Sequence, residues 1–197
     1  ARLCGLDVPE SMLIDFSKYG STFLVRRFDR NGAARIHFAS AMTMLGKTDG
    51  ASAADGSSYL ELVSFIKANG AAPKRDLREL WKRIVFNMAV SNTDDHMRNH
   101  GFILKTDGWH LSPLYDVNPV PEGDELSLCV NEDDATISLK LALEIAPYCE
   151  ISTKDATAMA ADILKTVREN WSSLASKCGL SRNAQEYMRP AFSLAFE

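Results

Sequence analysis

The residues with the greatest capacity for chemistry sit in one short stretch, "SNTDDHMRNHGF", residues 91–102. Two acids, two histidines, an arginine and two asparagines follow directly on the apolar run "WKRIVFNMAV". About a dozen residues later comes a further acid, Asp116, in "LSPLYDVNP". Asp94 and Asn99 stand in a D-x-x-x-x-N spacing, and the intervening "GFILK-TDG-WHLSP" reads as a hairpin turned at Asp107-Gly108. A hairpin returns the chain to where it began, so "TDDHMRN" and "LYDVN" are predicted to lie side by side. Two carboxylates and an amide oxygen are hard oxygen donors, which suit Mg²⁺ better than a soft metal. Mg²⁺ held by few protein ligands keeps positions open for substrate phosphates. Protein kinases place D-x4-N in their catalytic loop, then a hairpin, then a metal-binding Asp. Phosphoryl transfer needs a carboxylate for the hydroxyl proton and ligands that hold the phosphates in line with the attacking oxygen.

These residues must be carried by rigid elements. Residues 74–91 place Leu77, Leu80, Trp81, Ile84, Val85 and Met88 at i, i+3, i+4 spacing, a wide apolar stripe that predicts a central core helix. Residues 57–69 do the same with Tyr59, Leu62, Val63 and Ile66. Upstream, "SMLIDFSKYGSTFLVRRFDR" reads as a β-hairpin. Met12, Ile14 and Phe16 alternate, Phe23, Val25 and Arg27 follow, and Tyr19-Gly20-Ser21 make the turn. "RIHFAS" reads as a short third strand after an Asn31-Gly32 turn. An acidic, proline-bearing loop, "NPVPEGDELSLCVNEDD", precedes three closing helices. The middle one opens at Ser152 with Asp155 three residues on, and is predicted to bury Leu164, Val167, Trp171 and Leu174. The fold class is α+β, mostly helical.

Composition bounds the rest. The chain has 197 residues, enough for one domain with a core. Its net charge is −4, with 22 Lys plus Arg against 26 Asp plus Glu, which argues against direct nucleic-acid binding. No apolar run approaches the ~18 residues of a membrane span, and no signal-peptide pattern opens the chain. Cys4, Cys129, Cys149 and Cys178 are scattered without metal-ligand spacing and read as free thiols in a reducing cytoplasm. The chain starts without Met, at "ARLCGL", which reads as the last turns of a helix before the Val8-Pro9 break.

"RRFDR", "GKTDG", "VFNMAVSNTDDHMRNHGF" and "LSPLYDVNP", in that order, resemble the HipA family of bacterial toxin–antitoxin serine/threonine kinases. The pairing of N-x-D-x-H-x-[RK]-N with S-P-x-Y-D is the specific part. The resemblance implies the large lobe of a protein-kinase-like fold. Residues 1–40 would hold hinge strands and the end of a small lobe, and residues 41–197 the C-terminal domain. It implies ATP and Mg²⁺, a Ser/Thr acceptor on a protein, a small DNA-binding, HipB-like antitoxin as partner, and a part in bacterial persistence. Carried over, it makes Asp94 the catalytic acid/base, and Asn99 and Asp116 the metal ligands. His96 would contact nucleotide phosphate. Arg26, Arg27 and Phe28 would offer backbone hydrogen bonds to the adenine, and Tyr115 would line the nucleotide pocket. Asp95, four residues before Asn99, reads as a supporting or surface residue, metal contact being the lesser reading, and its Asn variant is expected to be milder than that of Asp94.

Plainer roles stand beside these. His100, His37 and His110 read as structural, Arg98 as a solvated charge, and Arg27 with Arg30 as a salt-bridged pair. No GxG occurs among the 11 glycines. The phosphate-binding loop, the ATP lysine and its Glu partner of such a kinase are expected upstream of "MLIDF". Two alternatives remain open: a small-molecule kinase of the aminoglycoside-phosphotransferase type, and a non-catalytic binding module or pseudokinase.

Overall fold

The computed structural model describes residues 1–18 and 20–197; Tyr19, part of the predicted first turn, lies outside them. The chain opens with a 3-10 turn, Arg2–Cys4, closed by Gly5 at φ 67°, where a helix tail was expected. Two antiparallel strands follow, β1 (Ser11–Ser17) and β2 (Gly20–Val25), with an irregularity in register between Ile14 and Ser17. The predicted alternation is present, but neither face is covered: Phe16 is 69% exposed and Phe23 65%.

"RIHFAS" is not one strand. It divides between β4 (Ala34–Arg35), paired with β3 (Arg30–Asn31), and β5 (Phe38–Ser40). β5 joins a different sheet, alongside β6 (Gly101–Lys105), which in turn pairs with β7 (Gly108–Leu111). Gly101 makes this packing possible. A Cβ there would lie 2.2 Å from a ring carbon of Phe38, so only a glycine lets that ring close over the strand. The β6–β7 hairpin turns through Thr106 and Asp107, and Gly108 takes φ 126° to close it.

The helices carry the core. A short α1 (Ala41–Met44) is capped by Ser40, whose hydroxyl accepts from the Thr43 amide. α2 (Tyr59–Asn69) begins at a capping box of Ser58 and Glu61 and buries Tyr59, Leu62, Val63 and Ile66, as its spacing predicts. α3 (Pro73–Ala89) is the central helix. All six residues of its predicted stripe are fully buried, and the Trp81 indole donates to the Ala142 carbonyl at 2.7 Å. α3 also buries three polar side chains that the apolar pattern does not announce: Asp76, Arg83 and Asn87. Asp76 accepts from the Leu111 amide and Arg83 donates to the Ser112 carbonyl, so both tie the helix to the end of β7.

The acidic, proline-bearing loop, residues 118–134, also feeds the core. Leu126, Leu128 and Val130 enter the core, while Glu132 and Asp133 stay exposed. Three helices close the chain: α4 (Leu139–Ile145), α5 (Thr153–Lys177) and α6 (Arg182–Met188), with a 3-10 stretch at Arg189–Phe196. The Ser152 hydroxyl caps α5 by accepting from the Asp155 amide at 3.1 Å. The buried face of α5 is rotated from the predicted one. It consists of Ala156, Ala160, Ile163 and Val167, with Leu164 and Trp171 half-buried and Leu174 exposed. Two of the four buried positions are alanines, which a count of large apolar residues overlooks. All four cysteines are free.

Candidate functional site

The charged stretch begins where α3 ends. Ser91 has φ 47°, a left-handed turn that stops the helix and starts the loop. The loop is docked on β5 and α1 by backbone bonds from Ala41 N–H to the His100 carbonyl (2.8 Å) and from Met42 N–H to the Met97 carbonyl (3.1 Å). Asn99 closes it on itself: its Nδ2 donates to the Asp94 carbonyl at 3.1 Å, and its amide N–H to the His96 carbonyl at 2.8 Å. With Nδ2 committed, the Asn99 Oδ1 is the end of the side chain left to accept from, or coordinate, something else.

The two adjacent aspartates have opposite environments. Asp94 is exposed, and no described hydrogen bond engages its carboxylate. It lines a cleft of about 200 Å³ with Met42, Ser52, His96 and Arg98. Asp95 is 1% exposed. Its Oδ2 accepts from Tyr59 Oη at 2.5 Å, from Asn87 Nδ2 at 2.7 Å and from His100 Nε2 at 2.9 Å. Burial pushes the Asp95 carboxyl up, but the His100 and Tyr59 contacts outweigh it and hold the group below the usual carboxylate range. Asp95 is therefore not a surface residue but the point on which α2, α3 and the start of β6 converge. Sequence spacing carries no sign of this. The only available signal was an unexplained polar position, Asn87, on an otherwise apolar helix face.

Asp116 is exposed, with φ 55°, a left-handed conformation that costs a non-glycine residue energy and recurs at functional sites. Asn118 Nδ2 donates to its Oδ1 at 3.0 Å, and no described hydrogen bond engages Oδ2. It lines a second cleft of about 720 Å³, together with Phe23, Val25, Tyr115 and Asn118. Asp94 and Asp116 thus line different cavities. No described hydrogen bond joins Asn99 to Asp116 directly. Their segments are tied by Tyr115, whose hydroxyl donates to the Arg98 carbonyl at 2.6 Å. Burial lifts that hydroxyl above the ordinary phenol range, so it remains a donor.

Tyr115 also belongs to an aromatic cluster. Its ring centroid lies 5.7 Å from that of Phe28 and 6.2 Å from that of Phe38, and Phe28 and Phe38 are 5.6 Å apart. Half-buried rings from three segments thus form an apolar wall beside the loop; Phe38 is a member that sequence reasoning did not single out. The other predicted base-binding positions are partly committed. The Arg26 N–H donates to the Glu10 carbonyl, and its guanidinium pairs with the Glu10 carboxylate at 2.9 Å. Arg27 and Arg30 do not pair with each other; both bind Asp29, and the Arg27 bonds hold that carboxyl well below its usual range. "RFDR" is therefore a self-contained ionic turn, in keeping with the plainer of its two readings.

His96 does not extend freely. Its Nε2 lies 3.0 Å from Arg98 Nη2, and Arg98 is in turn paired with Asp49. An arginine only donates, so in this contact Nε2 accepts, while Nδ1 is buried with no hydrogen-bond partner among the described residues. His110 is held between Arg75 and Asp107, and His37 packs on Trp109, so both are structural as expected. No cluster of three His, Cys, Asp or Glu residues able to hold a metal occurs among the described residues. The donors that suit a hard cation are Asn99 Oδ1 and Asp116 Oδ2, an amide and a carboxylate oxygen, each left free by the bond its partner atom makes.

With this geometry in hand, comparison with known proteins places the chain. A model of the HipA-like C-terminal domain matches residues 1–171, and the chain belongs to that family. A Haemophilus influenzae protein provisionally named a kinase is 32% identical over 132 residues, covering 60% of this chain and 38% of the relative. A Sinorhizobium fredii protein, Y4dM, with the same provisional name is 26% identical over 192 residues, covering 87% of this chain and 46% of its own length. Among solved structures, a chain of the Shewanella oneidensis MR-1 toxin–antitoxin complex of HipA, HipB and operator DNA superposes with a TM-score of 0.77. It shares 18% sequence identity and covers 99% of this chain and 52% of that one, which establishes a common fold. The chain spans half or less of the length of the curated relatives it matches. No helix among the described residues is long and apolar enough to cross a membrane.

Proposed function

We propose that this chain supplies the large-lobe half of an ATP- and Mg²⁺-dependent kinase that phosphorylates a Ser or Thr hydroxyl on a protein. Residues 1–40 form the hinge side and residues 41–197 the catalytic domain. The observation that carries the reading is the division of labour between Asp94 and Asp95: the buried acid holds the loop, while its neighbour presents a free carboxylate to a cleft. A carboxylate so placed can accept the proton of an attacking hydroxyl. Asn99 Oδ1 and Asp116 Oδ2 would hold Mg²⁺, which when bound neutralises and aligns the donor's phosphates. The Phe28–Phe38–Tyr115 wall is suited to stack a purine, with the Phe28 backbone as its hydrogen-bonding edge.

The acceptor is read from the cleft beside Asp94. At about 200 Å³ it is smaller than the ~300–1,000 Å³ of sites that enclose small molecules. A cleft of that size favours one side chain entering from a protein surface over an aminoglycoside. The resemblance to a HipA–HipB–operator complex supports a small DNA-binding antitoxin as partner, working with this protein in the cytoplasm. The chain's net charge of −4 favours DNA contact through that partner rather than directly.

The test uses the complete protein purified with its neighbouring antitoxin. Radiolabelled γ-phosphate should appear on Ser or Thr of an acceptor protein, and Asp94→Asn should remove at least about 10²-fold of the rate. Transfer that survives Asp94→Asn, or label found only on a small molecule, would overturn the reading.

A further inference from the structure

One chain of hydrogen bonds crosses from the D-x4-N loop to the Asp116 loop. Asn118 N–H donates to Asn92 Oδ1 (3.2 Å), Asn92 Nδ2 to Asn87 Oδ1 (3.2 Å), and Asn87 Nδ2 to Asp95 Oδ2 (2.7 Å). At its other end, Asn118 Nδ2 donates to Asp116 Oδ1 (3.0 Å). The orientation of both buried amides is dictated from the two ends. A backbone N–H can only donate, so Asn92 must offer Oδ1 to Asn118. An ionised carboxylate can only accept, so Asn87 must offer Nδ2 to Asp95. The single remaining arrangement sends the Asn92 donor to the Asn87 acceptor, which is the one present. Every donor points toward the charge, so each bond polarises the next. Asn87 and Asn92 are both fully buried, out of reach of bulk solvent.

We infer that Asn87, Asn92 and Asn118 form a hydrogen-bonded strut, anchored on Asp95, that sets the separation between the Asp94–Asn99 loop and Asp116. Its members are positioning residues; none touches substrate. The inference rests on the proposed roles of Asp94, Asn99 and Asp116, but the strut itself is a physical claim separate from catalysis. Asp95 is 1% exposed and carries three donors, so it cannot move without α2, α3 and β6. The asparagines pass that immobility to the exposed, left-handed Asp116 itself, in a loop whose flanks are also tied by the Tyr115 hydroxyl to the Arg98 carbonyl and by the Val120 amide to the Ser91 carbonyl.

The experiment has two readouts, amide hydrogen exchange and Mn²⁺ binding followed by electron paramagnetic resonance with a non-hydrolysable ATP analogue. Asn92→Leu keeps the branched shape of the side chain and removes both of its bonds. Exchange at residues 115–120 should rise about tenfold while α3 and β6 are unchanged, and Mn²⁺ affinity should fall about tenfold. Asp95→Asn, which touches none of residues 115–120, should loosen them in the same sense. Asn118→Ala alters only an exposed side chain and keeps the fold. It should weaken Mn²⁺ binding without changing exchange at its own amide. Exchange at 115–120 within twofold of wild type in Asn92→Leu would overturn the strut. Should that variant fail to fold, unchanged Mn²⁺ affinity in Asn118→Ala would overturn it instead. If the wild-type protein binds no Mn²⁺ with nucleotide while the exchange coupling appears as expected, the strut stands and the metal assignment falls.

Discussion

Asp94 and Asp95 differ by one position and are opposite in physical role. Asp94→Asn changes an exposed side chain and should leave stability within about 0.5 kcal/mol, while phosphoryl transfer collapses. Asp95→Asn removes the charge from three buried hydrogen bonds, each of a kind that contributes about 1.5–3 kcal/mol. Its unfolding temperature should drop by several degrees, readable by calorimetry. Spacing alone ranks Asp95 the milder site. Its burial reverses that order for stability and leaves it in place for the chemical step. Acid should act through the same group. The folded-state pKa of Asp95 lies below its unfolded value, so its contribution is complete above about pH 4 and is lost as pH falls through the folded value. Asp29, held low by Arg27, acts in the same direction, although its exposed partner Arg27 leaves the pair screened by solvent and it contributes less. Urea unfolding at stepped pH should show stability falling below about pH 4, with a shallower slope in Asp95→Asn.

At the scale of elements, the site depends on how closely β5 lies against β6. Gly101 permits the Phe38 ring to cover the strand, and Phe38 in turn packs on Tyr115 and Phe28. Gly101→Ala places a methyl where that ring now is. We expect a loss of about 1–3 kcal/mol from overpacking, together with changed ring chemical shifts for Phe38 and Tyr115. An unshifted spectrum would show that the wall is not built on this glycine. The β1–β2 hairpin behaves differently. Phe16 and Phe23 are exposed on it, so Phe16→Ser and Phe23→Ser should change stability by no more than about 0.5 kcal/mol.

Across the whole molecule, one core joins α2, α3, α4, α5 and the 189–196 turn, with Trp81, Leu80 and Ile84 at its centre. The 197-residue chain should therefore unfold in a single cooperative step, with calorimetric and van 't Hoff enthalpies in agreement. On the proposed reading these residues offer the phosphates Asp94, Asn99 and Asp116 but no GxG loop. Mg·ATP should raise the midpoint of the isolated chain only slightly, and phosphate incorporation should not exceed that of its Asp94→Asn variant.

Much of this was legible in the residues themselves. Local period places α2 and α3 and names their buried stripes, because a helix that covers one face must repeat its apolar residues every three to four positions. The D-x4-N spacing and the following hairpin place the candidate loop, because a two-residue turn leaves the chain little freedom in where it returns. What period and spacing do not carry is the partner of a polar group. Asp95 and Asp94 are identical as letters, and only the arrival of Tyr59 from 36 residues away, beside the nearby Asn87 and His100, makes one an anchor and leaves the other free. The split of "RIHFAS" between two sheets, the alanine face of α5 and the covering of Gly101 by Phe38 have the same origin. Each is decided by what arrives from elsewhere in the fold, through contacts whose range in space is a few ångströms and whose range in sequence is tens of residues.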